Sequence, residues 1–209
     1  MDPVAIIKQY GDKLPVNDQK FAFDLALKAE KGWLKSDKQL HWLHVMATRA
    51  EEAAAGIPDF TANEDGVEVG DFKGVMDLFE KAGKNLQYPK VRLQTSGGFP
   101  VCLAVAGKRS RHAGSVSVTD GGPFHDNKFY GWISPQGVWK AGEDAKGKVG
   151  QDLHNLLTMF AASPQTVATS YGLLTGNCCF CGIPLTDPKS TAVGYGPICA
   201  KHWHLPWGA

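Results

Sequence analysis

Four of the five cysteines crowd into one stretch near the C-terminus, "TGNCCFCGIPLTDPKSTAVGYGPICAKHWHLPWG", from Thr175 to Gly208. Cys178 and Cys181 form a C-x2-C pair followed directly by Gly182, and after seventeen intervening residues Cys199 and His202 form a C-x2-H pair. Two close pairs joined by a hairpin-sized segment have the spacing of a tetrahedral Zn2+ site, since zinc accepts thiolate sulfur and imidazole nitrogen without geometric demands of its own. Residues three apart share a helical face, so a helix opened by Pro197 lets Cys199 and His202 address one ion. A knuckle, a hairpin and a helix start together make a treble-clef-like finger. Two substitutions within the set stay open: Cys179 for Cys178, with a poorer C-x-C bite, and His204 for His202. Four protein donors leave no position for water, so a single structural Zn2+ is expected. Such a site supplies roughly 10 to 16 kcal/mol of apparent binding free energy, enough to organise a short segment with little core of its own. The alternative is a group of small buried hydrophobic thiols beside a surface histidine.

Clustered cysteines in an odd total suit a reducing compartment, where disulfides are rare. The start, "MDPVAIIKQYGDKLP", lacks the basic and then apolar runs of a secretory signal, and no run of about 18 apolar residues follows. A soluble protein of the cytoplasm, with no membrane partner, is the expectation. At 209 residues and 43% apolar composition there is material for one large domain or two small ones.

The helical period dominates first. Asp2 and Pro3 read as N-cap and first helical residue of a short helix ending near Gly11. Asn17 is placed to cap a second helix with Phe21, Leu25 and Ala29 on one face. Ser36 and Gln39 form a capping box for a third, whose stripe is Leu40, Leu43, Ala47 and Ala50. "GIPDFTANEDGVEVGD" reads as an acidic loop, and Phe72, Val75, Met76 and Phe79 give a fourth helical stripe. The period then changes. "KVRLQT", "FPVCLAVAG", "GSVSVTD", "KFYGWIS" and "GVWKA" are short β-rich runs separated by turn-forming segments, the pattern of an antiparallel meander. Two further helices follow, one with the stripe Val149, Leu153, Leu156, Leu157 and Phe160, the other opened by Ser163 and Pro164. The fold class predicted is α+β: a helical N-terminal part over 1–86, an antiparallel sheet with helices over 87–174, and the finger over 175–209.

Formal net charge is +1, too little for a protein that coats nucleic acid by bulk electrostatics. Its distribution is uneven: nine acidic residues against Lys73 from Glu51 to Glu80, then seven Lys or Arg and no acid from Lys81 to His112. Lys108, Arg109 and Arg111 fall at a hairpin tip, and the following strands bring Phe124, Phe129, Tyr130, Trp132 and Trp139. Cations tracking phosphates beside rings that stack on bases are how single strands are held. The candidate contacts are Lys90, Arg92, Lys108, Arg109, Arg111, Tyr130 and Trp132, with single-stranded DNA as the expected partner. Strict alternation puts Phe129, Gly131 and Ile133 on one face and Tyr130 and Trp132 on the other, one face being core. A catalytic reading, such as a metal-dependent nuclease, would have to use His112, Asp120, His125 and Asp126. No phosphate loop, nucleophile elbow or paired-carboxylate signature accompanies them. Cys102 reads as an inert core thiol. The rival class is a protein-binding module, a factor that captures a host enzyme through the finger or the acidic segment from Asp59 to Glu80.

The stretch "CxFCGxPLTDPxSxxxGYGPxCA" with its closing "LPWG" resembles a small C-terminal zinc-finger-like domain of unknown function found in many bacteriophage and actinobacterial proteins, often beside nucleic-acid-handling regions. "FAFDLALKAEKGWLKSDKQLHWLHVMATRA" is similar, more loosely, to a helical segment that accompanies it. The resemblance implies zinc ligands at Cys178, Cys181, Cys199 and His202 and a phage origin, and it implies no particular activity. His204 stands where that pattern has Gly, which favours His202 as the ligand.

Overall fold

The computed structural model describes residues 2–123 and 125–207, so Phe124 and the final Gly of "LPWG" lie outside the described residues. The chain forms two compact units, Met1–Asp59 and Phe60–Ala209. The helical region expected over 1–86 is thus divided, and the sheet and the C-terminal segment share one unit.

The first unit packs α1 (Pro3–Tyr10), α2 (Val16–Glu30) and α3 (Asp37–Ala54) around Ile6, Ile7, Leu14, Leu25, Leu43 and Met46. Asp2 caps α1 as expected, its carboxylate accepting from the Val4 amide at 3.3 Å. In the Ser36 box, Ser36 Oγ accepts from the Gln39 amide at 3.2 Å, while Gln39 Oε1 turns back to the Lys35 amide at 2.9 Å. Asn17 does not cap α2, because that helix already starts at Val16 after Pro15. The start two residues early accompanies a rotated stripe: Ala22, Leu25 and Ala26 are buried and Phe21 is not. Arg49 ties the unit together, reaching Asp18 and Asp59 at 2.8 Å each.

The second unit is built on one antiparallel sheet in the order β1-β6-β5-β4-β3-β2. Its strands are β1 (Val67–Glu68), β2 (Lys90–Gln94), β3 (Pro100–Val105), β4 (Val116–Thr119), β5 (Phe129–Ile133) and β6 (Val138–Ala141). The five strands read from sequence all form. The sixth, β1, lies inside the supposed acidic loop, where Val67 pairs with Trp139 and Glu68 with Val138. Helices α4 (Lys73–Gly83), α5 (Gly147–Ala162) and α6 (Pro164–Thr175) contribute Phe79, Leu153, Leu157, Phe160 and Val167 to a core shared with Leu93, Leu103, Ile133 and Trp139 of the sheet. Trp139 is fully buried and its indole donates to the Tyr130 carbonyl at 3.1 Å, as a buried Trp requires.

Two short helices complete the unit, α7 (Pro188–Val193) and α8 (Pro197–Trp203). "DPKS" is more than a turn: Asp187 caps α7, accepting from the amides of Lys189 at 3.0 Å and Ser190 at 3.3 Å, and Pro188 opens it. The chain after α6 folds back on that helix through two glycines. A Cβ on Gly172 would lie 2.2 Å from the Cα of Gly194, an approach that no side chain permits. Among the described residues no helix is long and apolar enough to cross a membrane.

Candidate metal centre and open sheet face

Asn177 and Pro184 pair as an isolated bridge, and between them the Cys178 amide donates to Ile183 O and the Gly182 amide to Cys178 O, both at 2.9 Å. Gly182, at φ +77°, makes the turn that a Cβ would strain. This knuckle presents Cys178 and Cys181, while Cys199 comes from the first turn of α8. The three Sγ atoms lie within 4.8 Å of one another, and among the described residues they are the one such group of three or more His, Cys, Asp or Glu donors.

The trio's electrostatics favour a cation. The Cys199 thiol donates to Cys178 Sγ, which holds Cys178 far below the ordinary thiol range, to about 4. Burial opposes this, and the backbone N–H groups of Cys181, Gly196 and Phe180 reinforce it. Cys199 is pushed the other way, first because its proton serves that hydrogen bond and then by burial. Protein groups alone therefore stabilise one thiolate of the pair. A divalent cation would let the remaining thiols give up their protons as well. Convergent sulfurs with N–H groups aimed at one of them fit a thiophilic metal.

His202 does not join the trio. It follows Cys199 by three residues on α8 and lines the same cavity, but its ring nitrogens fall outside the 4.8 Å group. The two alternatives lie further from that role. Cys179 is fully buried and its thiol is pushed up by burial and by the neighbouring Cys178. His204 has left-handed backbone, φ 54°, and its Nε2 sits 3.3 Å from Asn85 Nδ2.

The finger is fastened to the sheet at its β2 edge. The Arg92 amide donates to Cys179 O at 2.5 Å, and Nη1 of Arg92 donates to Phe180 O. The Arg92 amide is thereby taken out of the open backbone groups of the edge strand. It also gives Arg92 a bracing role that the sequence reading, which placed it among free phosphate contacts, did not contain.

The face of the sheet opposite the helices carries a continuous row across five strands, because directly paired residues share a face. That row is Lys90, Ala104, Ser117, Trp132 and Lys140. The Trp132 ring is half-buried there, with His112 stacked on it at 4.3 Å and 19° and Lys140 Nζ 5.7 Å from its centroid. His112 belongs to the β3–β4 loop, so that loop folds toward this face with Lys108, Arg109 and Arg111 exposed on it.

Tyr130 is not part of the platform. It is 2% exposed within the core, and burial raises its hydroxyl pKa, with the Asp120 and Asp144 charges adding to that. The cause is a β-bulge: Val118 pairs with Gly131 and Thr119 with Phe129, which leaves Tyr130 as the extra residue and breaks the alternation. Phe129 is consequently exposed, while Trp139, beyond the bulge, is buried opposite Ile133. Lys140 was missed, although the burial of Trp139 implies an outward Lys140 through the strand period alone.

Cys102 is buried but is not a member of the sheet's helix-side core. Its cross-strand partners are Arg92 and Thr119, and Gly121 packs over it. Burial raises its thiol pKa against the lowering influence of Arg92 and Lys90. Of the residues a catalytic reading would use, His112 lies on Trp132 and Asp120 accepts the Gly122 amide at 2.8 Å in a local turn; among the described residues, His112, Asp120, His125 and Asp126 do not form a close group of three metal donors.

Residues 168–204 match a family of unknown function (DUF6011). The match takes in the end of α6, the knuckle, α7 and α8. No curated protein and no solved structure matches the chain.

Proposed function

We propose that this protein binds single-stranded nucleic acid, DNA in the first instance, without catalysing a reaction, and that one structural Zn2+ organises its C-terminal finger. The observation that carries the binding reading is the half-buried Trp132 on an open sheet face, flanked by Lys140 and Lys90 along its row and overhung by the loop bearing Lys108, Arg109 and Arg111. One side of the Trp132 ring is taken by His112, so a base would stack on the other side or displace His112. Beside it are cations that have no ion-pair partner among the described residues, as sequence-tolerant single-strand binding uses. Tyr130 leaves the contact set, Arg92 serves mainly as a brace, and Lys140 enters. For zinc, the ligands are Cys178, Cys181 and Cys199, with His202 as fourth donor because it lines the cavity that the thiols share. Such an ion supplies charge and cross-linking, with no role in bond breaking. The finger's resemblance to phage and actinobacterial sequences supports a phage-encoded protein acting in the host cytoplasm.

The test is fluorescence anisotropy of a labelled oligonucleotide across a salt series. Affinity should fall steeply with salt, and the Arg109→Ala, Arg111→Ala double variant should lower the log–log slope by about 1 to 2, one phosphate contact per arginine. Trp132→Ala should weaken binding by about 1 to 3 kcal/mol with little change in slope. No anisotropy change with micromolar protein at low salt would end this reading.

A further inference from the structure

The loop from Gly107 to Gly114 joins β3 to β4, and His112 is the one residue of it that is not exposed. The cause is its ring, which lies on Trp132 at 4.3 Å and 19°. The backbone of His112 is fixed independently of that stack: its amide donates to Ser110 Oγ at 3.3 Å and its carbonyl accepts from the Ser115 amide at 3.0 Å. The imidazole nitrogens make no hydrogen bond or ion pair among the described residues, so the stack alone holds the ring in place. A rotation about the side-chain bonds releases it, with the loop and its Lys108, Arg109 and Arg111 left where they are. The next two positions of the Trp132 row, Ser117 and Ala104, are small, so the row itself offers the indole no second ring.

We propose that His112 is an autoinhibitory latch: in the free protein it occupies the face of Trp132 on which a nucleobase stacks, and a single strand binds by displacing the imidazole. This rests on the single-strand reading above and adds how that site is regulated. Geometry makes the two rings rivals, because an imidazole stacked at 4.3 Å leaves no gap for a base on the same face. A base offers a larger π-face than an imidazole and brings its phosphate to the cations of the same loop, which lets it win the exchange. The apparent affinity is then lower than the intrinsic one by the fraction of molecules in which the latch is open.

The test is anisotropy of a labelled oligothymidylate with the full-length protein. His112→Ala should bind about two- to tenfold tighter than the parent, the gain that removing one competing aromatic stack predicts. In a Trp132→Ala background the same substitution should change nothing, since there is no ring to uncover. His112 lies in a surface loop, so circular dichroism should be unaltered by its substitution. By NMR, the His112 ring protons should lie upfield under the Trp132 ring current and move, at saturating oligothymidylate, to the positions they take in Trp132→Ala. Equal or weaker binding by His112→Ala, an equal gain in the Trp132→Ala background, or ring protons that stay upfield in the complex overturns the latch and leaves single-strand binding standing. Absence of binding by the parent and His112→Ala alike overturns both.

Discussion

Stripping the metal with a strong chelator is expected to unfold the C-terminal segment while the sheet survives. About 10 to 16 kcal/mol of apparent binding free energy resides in a structural zinc site, more than the stability of most whole domains. The segment is a knuckle, a six-residue helix and a seven-residue helix, and without the ion it is left with the packing of Phe180, Tyr195 and Trp203 against the core of the second unit. Hydrogen exchange reads the result amide by amide. Cys178, Cys179 and Gly182 donate within the finger, to Ile183, Gly194 and Cys178 carbonyls at 2.9, 3.0 and 2.9 Å, and should lose protection. In the sheet, Arg92 should follow them because its amide is held by Cys179, whereas Leu103 and Val118 in the central strands should not. Protection unchanged at the knuckle amides in chelator would mean that packing alone holds the finger.

The second large effect is expected at Trp203. This side chain is 1% exposed, stacks on Phe180 at 4.3 Å and meets Phe79 of α4 edge-on at 5.3 Å. It therefore joins the finger to the core of the second unit, and Trp203→Ala should cost about 3 to 5 kcal/mol in denaturant unfolding through lost burial and an uncollapsed cavity. Trp203→Phe should cost much less, because the indole N–H that it removes has no partner to forfeit. Equal losses for the two variants would contradict a packing role.

These two sites also show how far sequence reasoning reaches. Local rules located the Asp2 and Ser36 caps, the five longer strands and the cysteine spacing, since each depends on residues a few positions apart. β1 escaped because two residues in an acidic run carry no period, and only pairing with β6 makes them a strand. Tyr130 was misplaced because a bulge is a property of two strands, and the sequence of β5 alone alternates without a break. Arg92 looked like a free cation for the same reason: its partners, the Cys179 and Phe180 carbonyls, lie far along the chain. In the finger, spacing found the three thiols that converge. Whether His202 completes the set depends on how α8 and its side chain are turned, which spacing does not encode.

Metal analysis by mass spectrometry on the purified protein tests directly for a metal ion on Cys178, Cys181 and Cys199. The account predicts one zinc per chain in the parent and close to none in Cys181→Ser. A parent that holds no metal yet keeps its knuckle amides protected, or a variant with undiminished zinc, would contradict it.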